Sequence, residues 1–374
     1  MIARILLAGG VVVLAASVFA FRAAARMPDF EVYWFAGARA AAAEPLYRAE
    51  DAHYQLKYLP AFAILAIPVA HVPLPAAKAL WFGLSVALLW VVLALSLRLL
   101  PSRHKPAWAL VLLTTVAMAK FYGHELVLGQ VNLLFASVIL SAVHLQLRGR
   151  GLAAGLLVAL AVVIKPYAVI FVPWLAARRS ASGLAGATTG IALALVVPAA
   201  AYGPAGTVDL HRAWWRTVTD STAPNLLNAD NVSLAAMYAK WLGPGDIAAA
   251  LAAATAILLL GLAALVILRR RPLPSDAGLE AALLLTLIPL LSPQGWDYVF
   301  LISTPAVMYL VNYETALPPV VRVAAIAALG TIAFSLYDVM GRQAYAAFMA
   351  LSVISICYVV VIGALACLRI RGVA

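Results

Sequence analysis

The chain has 374 residues, 65% of them hydrophobic and only 11% charged, with a net charge of +11. Its mean hydropathy of +0.99 and its repeated apolar runs exclude a soluble globular protein. They indicate an all-α, polytopic integral membrane protein, because a span in lipid must satisfy its own backbone groups and long unbroken runs do so as helices. The basic surplus then reads as cytoplasmic anchoring, and no nucleic-acid partner is expected.

Taken in order, the apolar segments are 5–22, 76–99, 107–120, 130–147, 151–164, 166–177, 182–202, 247–268, 279–292, 297–312, 319–337 and 344–368. This gives about 12 candidate spans in a single multi-span unit covering 1–374, several of them short for a bilayer of about 30 Å. The N-terminus resembles a secretory signal, but an uncleaved first helix suits the downstream topology better. Segment 60–73 is short and proline-studded and reads as an interfacial helix. Breaks at Lys165-Pro166 and Ser292-Pro293 suggest re-entrant or broken helices. The two cysteines, Cys357 and Cys367, lie in the last apolar run and suggest neither a disulfide nor a metal site.

The positive-inside rule orders this layout. Arg4, Arg103 with Lys105, Arg148 with Arg150, Arg178 with Arg179, Arg269 to Arg271, and Arg369 with Arg371 fall on one side, which makes both termini cytoplasmic. Most carboxylates fall on the other side, which carries two long segments, 22–75 and 202–246. No internal repeat, soluble domain or nucleotide-binding glycine loop is evident.

The polar residues of that outer face are the candidates for chemistry. Asp29 and Glu31 stand beside Tyr33 and Trp34 just beyond the first span, where a carboxylate is costly and rarely idle; the plainer reading of Asp29 is a helix N-cap. Lys57 in Lys57-Tyr58-Leu59-Pro60 either snorkels or holds a phosphate. His124 and Glu125, adjacent in sequence between the third and fourth spans, are poorly placed for a metal pair. Gln130 and Asn132 enter a helix from its outer end and suit either interhelical hydrogen bonds or a sugar. Lys165, enclosed by apolar residues before Pro166, is suited to a lipid-borne phosphate. The second outer segment offers His211, Arg212, Trp214, Trp215 and Arg216, the usual residues of an interfacial belt, then Asn231 in a polar turn before Ser233, which suits either ordinary helix capping or a sugar. Finally Trp296 and Asp297 follow the Ser292-Pro293 break, where an aromatic with polar neighbours suits a carbohydrate.

These landmarks together resemble glycosyltransferase family 87, polyprenyl-phosphomannose-dependent α-mannosyltransferases of the GT-C fold class. The resemblance is carried by Pro28-Asp29-Phe30-Glu31-Val32-Tyr33, Lys57-Tyr58-Leu59-Pro60, Gly129-Gln130-Val131-Asn132, Lys165-Pro166, Asn231-Val232-Ser233 and Leu291-Ser292-Pro293. It implies that Asp29 is the catalytic carboxylate and that the sugar donor is a polyprenyl phosphate. It also implies that transfer takes place outside the cytoplasmic membrane. The chain departs from the family pattern at Trp296-Asp297-Tyr298, where histidines often follow the tryptophan, and at Val232, where glutamine is favoured.

The expected mechanism has Asp29, or secondarily Glu31, as general base toward a lipid or glycan acceptor. Lys165 and Lys57, with His124 or Arg216, would neutralise the leaving phosphate. One displacement would invert the anomeric centre, and no metal or cofactor is expected. The rival reading is a transporter or flippase of a lipid-linked or anionic substrate, with Lys165 in a midplane site.

Overall fold

A computed structural model describes residues 17–269 and 276–372, so Arg4, Arg270 and Arg271 lie outside the described residues, as does most of segment 5–22. The helices, in chain order, are α1 (Pro28–Ala41), α2 (Pro60–Ala70), α3 (Leu74–Arg98), α4 (Ala107–Leu128), α5 (Asn132–Leu147), α6 (Gly151–Ile164), α7 (Phe171–Ala177), α8 (Ala181–Val196) and α9 (Ala199–Asp220). They continue with α10 (Leu234–Leu242), α11 (Asp246–Leu268), α12 (Asp276–Leu291), α13 (Thr304–Tyr313), α14 (Pro319–Phe334), α15 (Tyr337–Ala350) and α16 (Val353–Arg371). No strand is formed among the described residues beyond one isolated bridge between Asn231 and Trp296. The chain is an all-α, multi-pass membrane protein.

Among the described residues four helices, α3, α4, α11 and α16, are long and apolar enough to cross a membrane, or up to six if the bent pairs α8–α9 and α14–α15 each count as one span. The sequence suggested twelve. Segment 5–22 lies mostly outside the described residues, and much of the remaining difference lies in helices of 10–17 residues, α5, α6 and α12 among them. At 1.5 Å per residue such a helix reaches at most about 25 Å, short of a bilayer core of about 30 Å.

Three expectations change in detail. The stretch Gly123 to Leu128 is no connection between spans: α4 runs unbroken to Leu128 and ends where Gly129 takes the left-handed conformation (φ 69°). Segment 202–246 is largely helical, because α9 turns away from α8 by 88°. The apolar runs 319–337 and 344–368 do not form two straight spans, since α14 and α15 meet at 107° and the last long helix begins only at Val353. The breaks at Lys165-Pro166 and Ser292-Pro293 are present. α6 stops at Ile164, Lys165 is extended and a 3₁₀ turn follows; α12 stops at Leu291 ahead of a second 3₁₀ turn at Asp297–Ser303. Proline forces both, because it cannot donate to the preceding helical turn.

The tightest seam is α6 against α8. A Cβ on Gly155 would lie 1.9 Å from the Gly183 carbonyl oxygen, and one on Gly186 would lie 2.3 Å from the Leu152 carbonyl oxygen. In lipid, where burial gives little drive for helices to associate, small residues let backbones approach and gain dispersion contact. Both obstacles are backbone and cannot rotate aside. Gly155→Val should therefore destabilise by more than the 1–3 kcal/mol typical of overpacking. Gly261→Ala, which meets nothing within 4 Å, should leave stability unchanged. Thermal unfolding of the detergent-solubilised protein tests the pair; equal behaviour would show that the seam does not hold the fold.

Candidate active site

The site is built on the N-terminus of α1. Pro28 occupies the first helical position, where its fixed φ and missing N–H cost nothing. Met27 is the cap residue, in the left-handed region (φ 64°), and its N–H donates to the Val127 carbonyl oxygen at 3.1 Å. Asp29 is therefore not the helix cap that the plainer sequence reading supposed. It stands half-buried in the first turn, where the helix field favours a carboxylate.

Asp29 and Tyr33 are four residues apart and share a face of α1. Tyr33 is hydrogen-bonded to the Tyr58 hydroxyl (2.8 Å) and donates to Gln130 Oε1 (3.1 Å), while Gln130 Nε2 donates to the Tyr298 hydroxyl (3.0 Å). Tyr33 also meets Tyr58, Phe62 and Trp81 edge to face. The Asp29 carboxylate acts electrostatically on Tyr33, Tyr58, Tyr298, Lys57 and Lys165. The fold thus gathers a carboxylate, two lysines and three tyrosines from four chain segments. Burial raises the Tyr33 and Tyr58 phenols well above their ordinary range, so both stay neutral donors. Burial also lowers Lys57, against a smaller opposing effect of Asp29. Lys57 is held in place: its Nζ donates to Gln294 Oε1 (2.9 Å) and its carbonyl accepts from Trp214 Nε1 (3.1 Å).

Glu31 points elsewhere. It pairs with Lys78 at 2.6 Å, and the same ammonium donates to the Arg26 carbonyl oxygen at 2.7 Å. Asn132 is fully buried and gives its amide to Glu125 Oε2 (2.7 Å), while Glu125 Oε1 accepts from the Leu133 N–H (2.9 Å). Glu125 thereby closes the N-terminus of α5. Asn231 is also fully buried, donating to the carbonyl oxygens of Asn225 and Pro293 and accepting from the Ser233 N–H. Ser233 caps α10 through Ala236, as its position before the apolar run suggested. Half-buried Trp296 faces Asn231 across the isolated bridge.

His124 and Asp297 form a second cluster with Lys120. Lys120 Nζ lies 2.8 Å from Asp297 Oδ2, both side chains 2% exposed, and His124 Nδ1 lies 3.8 Å from Asp297 Oδ1. Tyr345 of α15 covers the ammonium, with its ring centroid 4.9 Å away. Sequence reading missed Lys120, which looked like the end of a span; only the 3₁₀ turn that carries Asp297 into the helices reveals its partner. Arg216 joins neither cluster: it is exposed and lines a groove on α9. Among the described residues no three His, Cys, Asp or Glu side chains gather as a metal site would require.

A many-helix membrane protein that brings a carboxylate, half-buried lysines and neutral tyrosines to one place belongs with membrane proteins that handle polar or anionic groups at the lipid boundary. The sequence pattern of glycosyltransferase family 87 matches residues 56–293, which is more than half of the chain, and the protein belongs to that family. It is accordingly a membrane glycosyltransferase, acting between a sugar donor and an acceptor, and the transporter reading gives way to it. No curated protein and no solved structure matches the chain.

The Lys120–Asp297 pair gives a test of the site's framework. Removing one partner leaves an uncompensated buried charge, worth roughly 3–5 kcal/mol, whereas an apolar replacement of both is often nearly neutral. Lys120→Met should therefore unfold at a lower temperature than the double variant Lys120→Met/Asp297→Leu. The opposite ranking would show that the ion pair itself stabilises the fold.

Proposed function

We propose that the protein moves a hexose, mannose by preference, from a polyprenyl phosphate to a lipid- or glycan-linked acceptor at the outer face of the cytoplasmic membrane. The observation that supports this most directly is the place of Asp29 one helical turn from Tyr33, whose hydroxyl is bonded to Tyr58 beside Lys57 and to Gln130; the Asp29 charge is also felt by Lys57 and Lys165. The arginine asymmetry of the sequence supports the sidedness, with both termini cytoplasmic and segments 22–75 and 202–246 outside. The family match begins at residue 56, so the role of Asp29 rests on its place in the structure and on the resemblance of the segment around it.

An acceptor hydroxyl is a weak nucleophile until its proton has somewhere to go. Asp29 takes that proton as the acceptor oxygen attacks the anomeric carbon. The bond from that carbon to the phosphate oxygen breaks, and its electron pair leaves with the lipid phosphate. Lys57 and Lys165 face the charge that develops there. A single displacement inverts the anomeric centre. Glu31 is the poorer base because Lys78 holds it on another face of α1. Gln130, anchored between Tyr33 and Tyr298, positions the tyrosine wall on which sugar hydroxyls can find partners. A monophosphate leaving group needs only these fixed cations, and no step in the scheme calls on a metal.

Two measurements test the assignment. In membranes supplied with radiolabelled polyprenyl-phosphomannose, Asp29→Asn should lower transfer by about 10²- to 10⁴-fold, the usual contribution of general acid–base catalysis, while Glu31→Gln retains most of it. Equal transfer by native chain and Asp29→Asn would remove Asp29 as the base. The pH profile tests Lys57. A lysine held below its ordinary value loses its proton earlier as pH rises, so transfer should fall on the alkaline side before free lysine titrates. Arginine stays charged throughout, so Lys57→Arg should abolish that fall; an unchanged alkaline limb would discount the lysine.

A further inference from the structure

The groove that holds Arg216 lies where α8 and α9 meet at 88°. It is a wide-open groove of ≈ 660 Å³ lined by Leu195, Thr207, Val208, His211, Arg212, Trp215 and Arg216. Its walls divide by chemistry. Leu195, Val208 and Trp215 are exposed apolar side chains, Trp215 by 62%, whereas Arg212 and Arg216 are cationic. The spacing 208, 211, 212, 215 and 216 places all five on one face of α9. Trp214 points the other way, to the Lys57 backbone.

The elbow fixes how this face meets the membrane. α8 is an apolar helix, so α9, turned by nearly a right angle, runs along the lipid–water boundary, where tryptophan and arginine are at home. One further detail points to an anionic ligand. Among the described residues the carboxylate paired with these cations is Asp209, 3.2 Å from Arg212, and both side chains are about two-thirds exposed or more, so the pair holds the guanidinium weakly.

We propose that this groove is a binding site for an anionic phospholipid, with acyl chains along Leu195, Val208 and Trp215 and the phosphodiester on Arg212 and Arg216. The occupant is a resident phospholipid and not the reacting donor, because Asp29, Lys57, Lys165 and the three tyrosines of the site do not line the groove. Bound there, the lipid would brace α9, whose opposite face carries Trp214 against the Lys57 loop.

The experiment measures lipid retention by the full-length, detergent-solubilised chain, a readout independent of sugar transfer. Native mass spectrometry should find phosphatidylglycerol retained over phosphatidylcholine of identical acyl chains. Arg212→Gln and Arg216→Gln should each weaken that retention by about fivefold, the worth of one arginine near an anionic surface, and the corresponding lysine variants should keep most of it. A photoreactive phosphatidylglycerol should label the unaltered chain within 207–216, which holds even if a variant fails to fold. Equal retention of the two lipids, labelling elsewhere, or retention indifferent to both glutamine variants would overturn the proposal. So would displacement of phosphatidylglycerol by undecaprenyl phosphate, which would assign the groove to a lipid-linked donor.

Discussion

The site depends on one carboxylate that takes no part in the proposed chemistry. Glu125 closes the N-terminus of α5 through the Leu133 N–H and the Asn132 amide, in a medium where an unsatisfied backbone donor costs several kcal/mol. That closure sets the tight turn at Gly129, and the turn in turn receives α1. The Gly129 carbonyl oxygen accepts from Trp81 Nε1 at 3.0 Å, and the Val127 carbonyl oxygen accepts from Met27. A side chain at 129 is excluded twice, by the positive φ and by a Cβ that would meet Phe30 Cβ at 2.8 Å. α1 is thus fixed at the residue before Pro28, and the direction of Asp29 follows from it.

A second constraint joins the later half of the chain to the first. Residues 230–232 and 295–297 pair through Val232 N–H to Gly295 O (2.7 Å) and Asp297 N–H to Asp230 O (3.0 Å). Gly295 has no room for a side chain, since a Cβ would stand 2.0 Å from the Pro289 carbonyl oxygen. This short pairing delivers Asp297 to Lys120 and Gln294 to Lys57. Asn231 and the Ser292-Pro293 break, which look like separate sugar-binding candidates in the sequence, are two halves of one brace.

The helical class, the membrane setting and both proline breaks were legible in the sequence. Each is signalled locally, by hydropathy or by proline chemistry. What was not legible depends on partners distant in the chain. Asn132 and Gln130 sit two residues apart and look equivalent, yet one closes a helix with Glu125 and the other bridges Tyr33 to Tyr298. Lys120 needed Asp297 to be understood, and Arg216 needed the bend between α8 and α9. Helix number was uncertain for a related reason, because apolar runs of 14–16 residues serve equally as buried helices and as parts of broken spans.

The hydrogen bond from Lys57 to Gln294 joins residues 237 positions apart. Tyr298, on the far side of the polar chain from Tyr33, lies still later. While the chain is being synthesised, therefore, Asp29 and Lys57 enter the membrane long before the groups that hold them in place have been made. A nascent or prematurely terminated chain that stops before Gln294 carries the carboxylate and the lysine but lacks the side chain that holds Lys57 in place.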